Sequence, residues 1–528
     1  MTTAVDFPKD FLFGTSSSAY QIEGAVNEGV SGERRFHLCV KDVFIKKQKY
    51  SDVFSVRSAK DIPKEYINRV KLVGYSKGSI IFKVVDKIVD KLTSVADADI
   101  ACDSYHKTDV DVALLKELGV QVYRFSLSWS RILPTGYDHE PNGEAIQHYQ
   151  DFIDKLLANN IQPLVTMYHC DLPQVLQEAG GWTNNFMIGC FSSYARFLFK
   201  TFGDKVKLWT TINEPRLVSE GYGGIYGLAP FDHDLGATYS GIGDYLSIHN
   251  MLLAHAVAYR IYEKDFKPTQ NGGVSICPDT TWAFPNDGNN ENDKKASELV
   301  LQHYVGMFIE PLVTGEFPKI VLESIKDTNE RKKFSTWRLV PFTDEEKKLL
   351  IGAYDFMAFN YYRALRVTMM SEDKIKDETD LKKIDQRIEI VGDYADPSIP
   401  IDDYNGFYNI LTWLSKKCKK DTKFIICENG LKDIDNPLIT AEVKTKSKIE
   451  YHRGILVELS KAIKDGINVF GYCVWSFMDS YEWIMGYKDK FGIYEVDFEN
   501  PDRPRTKKGC FNFFNKLFQD KKLPVDST

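Results

Sequence analysis

Eight short apolar runs, each followed by polar and often helix-forming sequence, restrict the fold of this 528-residue chain more than any other feature. They are FLFGTSSSAYQ (11–21), VYRFSLS (122–128), QPLVTMYH (162–169), KLWTTINE (207–214), GGVSICP (272–278), YDFMAFNYY (354–362), FIICENG (424–430) and NVFGYCVWS (468–476). Between them lie amphipathic segments, among them TDVDVALLKELGV (108–120), EAIQHYQDFIDKLLANN (144–160) and KIEYHRGILVELSKAIKDG (448–466). Apolar residues there recur at helical spacing, and two of the segments close on glycine as helix C-termini do. Strands buried on both faces read as continuous apolar runs, so the pattern predicts a parallel sheet of the α/β class. Eight is the number of strands that closes a (β/α)₈ barrel, the TIM barrel, with long loops at one mouth.

One segment breaks the order. Residues 34–93 hold fifteen Lys/Arg against six Asp/Glu, a formal +9, within a chain of net −7. They leave the first strand where a β1–α1 loop would run, and IIFKVVDKIVDKL within them has helical spacing. The rest of the chain reads as a single domain. Its acidic balance argues against nucleic acid and anionic membranes as partners. No stretch approaches the roughly 18 consecutive apolar residues of a membrane span. The opening MTTAVDFPKDFLFG lacks the basic and apolar regions of a secretory signal. The nine cysteines are odd in number with no C-x-x-C pair, and no asparagine heads an N-x-S/T sequon. Together these predict a cytoplasmic protein with reduced thiols, or a secreted one if residues precede those given. Oligomeric state is left open, a dimer included.

In a β/α barrel the chemistry sits at the C-terminal ends of the strands. Reading the closing residues of seven of the runs brings Gln21, Arg124, His169, Asn213, Glu214, Asn360, Tyr361, Tyr362, Glu428, Asn429 and Trp475 toward one mouth. Glu214 and Glu428 end the fourth and seventh strands, which face each other across an eight-stranded barrel. Opposed carboxylates are what glycosidic bond cleavage requires, one to protonate the leaving oxygen and one to attack or to activate water. Their surroundings must differ for the two to differ in proton affinity. Arg124 is placed to hold one of them ionised.

With these residues in view, the chain strongly resembles glycoside hydrolase family 1, the β-glucosidase family, over nearly its whole length outside the basic segment. The matching stretches are FPKDFLFGTSSSAYQIEGA, YRFSLSWSRILPTG, LVTMYHCDLPQ, TINEP, ENG and VWSFMDSYEWIMGYKDKFGIYEVDF. The last of these, with KPTQNG (267–272), most resembles the insect members. The resemblance implies a retaining mechanism. Glu214, in the family's T-x-N-E-P motif, would be the general acid and then base, and Glu428, in its E-N-G motif, the nucleophile. Arg124 and Tyr362 would orient and charge-balance Glu428. Asn213 would hydrogen-bond the sugar 2-hydroxyl; Gln21, His169, Glu482 and Trp483 would bind the other hydroxyls, and Trp475 would stack on the sugar's apolar face. The substrate implied is a small-molecule glycoside, and no metal or organic cofactor is implied.

The chain also departs from the family. Cys170 stands where the family has Trp after its histidine, Arg363 where Thr is common, and Arg216 and Glu220 follow the T-x-N-E-P motif on the leaving-group side. The family's I-W-D segment is absent, and the basic segment stands in its place. Two origins fit that segment: a lid or specificity element at the mouth, or retained intron sequence. The resemblance favours hydrolysis of β-glucosides, with galactosides and fucosides as further substrates. A thioglucosidase is the second reading, and a silent member acting as a binding protein the third.

Overall fold

The computed structural model describes residues 5–26, 98–223, 240–393, 404–434, 436 and 438–524. The basic segment 34–93, with the helical spacing read within it, lies outside the described residues. The strands of the main sheet are β1 (Leu12–Ser16), β2 (Val122–Ser126), β3 (Gln162–Tyr168), β4 (Leu208–Asn213), β5 (Gly273–Cys277), β6 (Asp279–Pro285), β7 (Met357–Met369), β8 (Ile388–Asp393), β9 (Phe424–Asn429) and β10 (Val469–Trp475). All eight sequence-predicted strands are among them. The bonded path runs β5-β4-β3-β2-β1-β10-β9-β7-β6, every step parallel.

The sheet curls until its ends meet. The Asp355 N–H donates to the Val274 carbonyl at 3.0 Å, and the Ala358 N–H to the Ser275 hydroxyl at 3.0 Å. Pro278, which has no N–H to donate, splits one stave into β5 and β6. The first half pairs with β4 and the second with β7, so the barrel has eight staves, as the sequence predicts. The unpredicted β8 is an antiparallel partner of the part of β7 that runs past the barrel.

Amphipathic helices cover the barrel. Thr108–Leu118 ends on Gly119 with φ 81°, Gly143–Ala158 is capped by the Asn142 side chain, and Ala441–Lys464 by that of Thr440. Inside, the lower staves pack Val122, Leu164, Cys277, Phe356, Ala358, Ile425, Cys427 and Cys473 into an apolar floor. Polar side chains begin one residue pair higher.

Register decides which side chains look inward. Ile425 lies in the floor and Ile426 in the outer core, so simple alternation would aim Glu428 outward at the helices. Both neighbours of β9 record one extra residue there. From Ile426 to Asn429, β9 advances three positions while β10 advances two, and from Ile426 to Glu428 it advances two while β7 advances one. Such a bulge turns the following side chain over. Glu428 therefore faces the barrel axis, and Asn429 faces out to the hydroxyls of Tyr451 and Tyr472. A similar slip in β4 between Thr210 and Asn213 accompanies Asn213 at the mouth. Gly430 follows because a Cβ there would sit 2.0 Å from the Trp475 carbonyl.

Candidate active site

Glu428 is 3% exposed, and both its oxygens are held. The Arg124 guanidinium donates through Nη1 to Oε1, and the Tyr362 hydroxyl donates to Oε2 at 2.5 Å. Arg124 is wholly buried and spends its other donors on Asn213 Oδ1 (2.6 Å) and Thr166 Oγ1 (2.9 Å). A buried guanidinium without such acceptors would be costly, so this ring of acceptors fixes where its charge lies. Arg124 sits in the middle of β2, not at its end as the sequence reading had it. Its long side chain brings the charge to the mouth.

Glu214 is built differently. It follows β4 at the N-cap of the helix Pro215–Tyr222, with φ 46° and ψ 56°, a left-handed conformation unfavourable for a side chain of this size. Its N–H donates to the Cys277 carbonyl at 2.8 Å, and Pro215 takes the first helical position, where no N–H is needed. The carboxyl accepts one side-chain bond, from Asn360 Nδ2 at 2.9 Å. Burial, then the charges of Glu428 and Asp279, hold it well above the usual carboxylate range, with Asn360 and Arg216 opposing. These surroundings favour the protonated form over the anion.

Asn360 joins the two halves. Its amide also donates to Asn213 Oδ1 at 3.1 Å, which completes a chain Glu214–Asn360–Asn213–Arg124–Glu428. The Cys277 thiol donates to Asn360 Oδ1 at 3.2 Å and so fixes which way the amide points. The sequence reading placed Asn360 at a strand end but gave it no role. The signal available was the alternation Asn360-Tyr361-Tyr362, which puts the first and third on one face.

Beside this chain lies a row of rings. Trp483 is parallel to Tyr20 (3°, 5.6 Å between centroids) and to His169 (9°, 6.0 Å), and His169 is in turn near-parallel to Trp475 (18°, 6.1 Å). Burial, then the Arg124 charge, pushes the His169 imidazole well below the usual histidine range, so it is neutral. Its Nε2 lies 3.2 Å from Asn213 Nδ2, and its buried Nδ1 has no hydrogen-bond partner among the described residues. Gln21 lies on the short helix Ala19–Ile22 beyond β1, not at the strand end; its amide accepts from Ser18 and donates to the Tyr481 carbonyl at 2.9 Å. Glu482 accepts from the Ser480 hydroxyl at 2.9 Å, and burial, with the Glu428 and Asp489 charges, pushes its pKa up to about 8. Cys170 follows His169 with φ 65°, and burial, then the Glu214 charge, raises its thiol well above the ordinary range. The ten sequence-predicted site residues thus share one mouth. It contains two carboxyls in opposite settings, a third in Glu482, a neutral imidazole, amides and flat apolar faces, a set suited to a polyhydroxylated ring.

The sequence matches the model of Glycosyl hydrolase family 1 over residues 3–72 and 75–523. The chain belongs to glycosyl hydrolase family 1. Among curated members it is 36% identical to "Myrosinase 1" of Brevicoryne brassicae over 517 residues, 97% of this chain and 98% of that protein. It is 37% identical to the "Cytosolic beta-glucosidase" of Homo sapiens over 415 residues, 77% of this chain and 85% of that one. Among solved structures, the family 1 rice Os3BGlu6 beta-glucosidase superposes with a TM-score of 0.79 at 31% identity, covering 97% of this chain and 98% of that one. As a family 1 member the chain is a retaining β-glycosidase. No helix among its described residues is long and apolar enough to cross a membrane.

Proposed function

We propose that the substrates are terminal β-D-glucosides, with Glu428 as nucleophile and Glu214 as acid and then base. The observation that carries this assignment is the asymmetry of the two carboxyls. One accepts donors on both oxygens, which favours the anion; the other is surrounded by negative charge, which favours the acid. In the first step a Glu428 oxygen bonds to the anomeric carbon as the glycosidic C–O bond breaks, and the Glu214 proton passes to the leaving oxygen. In the second, water attacks the same carbon, Glu214 takes its proton, and the glycosyl ester bond to Glu428 breaks. Two inversions retain the configuration. Arg124 and Tyr362 orient the attacking carboxylate, and Asn213, Gln21, His169, Glu482, Trp475 and Trp483 form the sugar subsite.

Labelling with a 2-deoxy-2-fluoro-β-glucosyl inactivator and peptide mass spectrometry tests the assignment. Covalent label on Glu428 is expected; folded protein that stays unlabelled there would refute it. A second reading, a thioglucosidase, is favoured by the 36% identity to a myrosinase. A thiolate leaves without a proton, so thioglucoside cleavage up to the glycosyl ester would survive loss of the Glu214 acid, while water attack on that ester would still need a base. A panel of aryl β-glucosides, galactosides, fucosides and a glucosinolate, ranked by kcat/KM, separates the two. We expect O-glucosides at the top, because Arg216, the cation closest in sequence to Glu214, is already engaged by two carboxylates.

A further inference from the structure

Next to Glu214 lies a buried charge cluster that the hydrolytic steps do not use. Arg216, two residues along the same helix, donates through Nε to Asp279 Oδ2 at 2.7 Å and through Nη2 to the same oxygen. Its Nη1 reaches Glu220 Oε1 at 2.7 Å, and its guanidinium lies 4.5 Å from the centroid of the Tyr304 ring. Lys382 adds Nζ contacts to Glu220 (3.2 Å) and Asp244 (3.5 Å). Asp279 opens β6 directly after Pro278, and it is 8% exposed. Its Oδ1 is buried with no hydrogen-bond partner among the described residues.

The cluster closes a loop around the acid. Asp279 is register-paired with Asn360, whose N–H donates to the Pro278 carbonyl at 3.0 Å and whose amide holds the Glu214 carboxyl. From Glu214 the path runs two residues to Arg216, across the ion pair to Asp279, across the β6–β7 pairing to Asn360, and back to the Glu214 side chain. The left-handed Glu214 backbone is one that its surroundings must hold in place. The Arg216 fork is the side-chain tie in this loop between its helix and β6.

We propose that Arg216 and Asp279 are positioning residues for Glu214, their ion pair keeping its carboxyl on Asn360. The Asp279 charge also raises the proton affinity of that carboxyl. This rests on the reading of Glu214 as proton donor. The charged or titratable groups facing Glu214 are Glu428 from β9, Asp279 from β6, Tyr362 from β7, Cys170 after β3 and Arg216 on its own helix. Of these, Asp279 is the one carboxylate whose removal leaves the sugar subsite and the nucleophile intact.

The test uses D279N and R216K in the full chain, with sites counted by fluoroglucosyl labelling and folding followed by thermal melts. E214Q comes first. It should lose activity on a phenyl glucoside yet keep cleaving 2,4-dinitrophenyl glucoside up to the first intermediate, and the absence of that split refutes the acid assignment itself. Given the split, D279N should move the alkaline limb of kcat/KM for the phenyl glucoside down by about one pH unit, since a nearby like charge is gone. R216K, unable to fork two acceptors, should lower kcat per labelled site about 10-fold on the phenyl glucoside and less than about 2-fold in dinitrophenolate release. A merely structural pair would change the melt and the count of sites. If the alkaline limb stays in place in D279N, or if R216K slows both substrates equally per site, the proposal is overturned.

Discussion

The two walls of the mouth solve opposite problems with the same side chain. On the wall made by β2, β7 and β9, Glu428 meets a guanidinium and a phenol, each brought from a different stave. On the wall made by β4, β5 and β6, Glu214 meets one amide, with Glu428, Asp279 and the Cys170 thiol nearby. Burial alone would disfavour ionisation of both. The difference lies in what surrounds each carboxyl: donors on both oxygens of Glu428, and beside Glu214 anions that outweigh one amide from β7 and the Arg216 charge. A hydrogen-bond chain through Asn360, Asn213 and Arg124 links the walls, so neither carboxyl can shift without disturbing the other's partners.

Breaking the donor wall should have the largest effect. E428Q keeps the shape but removes the attacking oxygen anion, and kcat should fall by about 10⁵-fold, as when an enzyme loses its nucleophile. Steady-state kinetics after removal of wild-type contamination checks this, and a loss below a hundredfold would contradict the assignment. E214Q comes next, with a loss of about 10²–10⁴-fold on substrates with poor leaving groups. The loss should shrink as leaving-group pKa falls, which a plot of log kcat/KM against that pKa will show. Y362F removes one bond to the carboxylate while Arg124 stays, and should cost roughly 10–100-fold in kcat, the worth of one hydrogen bond to a charged group.

Two pH effects sharpen the contrast with less damage. Glu214 must carry its proton to act, and its proton affinity is raised well above the carboxylate range. Activity should therefore persist well above the ordinary Glu range and fall as pH rises through the Glu214 value. Glu482, pushed up to about 8, is neutral below that pH and ionised above it. KM should change by about 3-fold or less across pH 7–9, because one hydrogen bond changes character while the others remain. E482Q should flatten that step. An unchanged step would assign it elsewhere.

Much of this was legible from residues alone, and the misses have physical causes. The eight staves were visible because parallel strands buried on both faces carry continuous apolar runs. β6 was missed because Pro278 interrupts the run, and β8 because an antiparallel strand outside the barrel has one solvated face and no such run. Gln21 was assigned to a strand end because its run extends past the end of β1 into a short helix, whereas Arg124 lies mid-strand and only its long side chain reaches the mouth. Asn360 was seen without its role, since that role depends on three staves meeting. The Arg216–Asp279 pair joins residues 63 positions apart in the chain and has no short motif to announce it.

The sequence by itself determined the repeat that closes a barrel, the family, and the two motifs that carry the carboxyls. Those are properties of periodicity and of local residue order. Only the tertiary structure decided which way Glu428 faces, because one extra residue in β9 reverses the side on which a side chain emerges. It also decided the surroundings of the two carboxyls, donors on both oxygens of Glu428 and negative charge beside Glu214. Proton affinity depends on charges and donors a few ångströms away, and those come from staves and helices far apart in the chain.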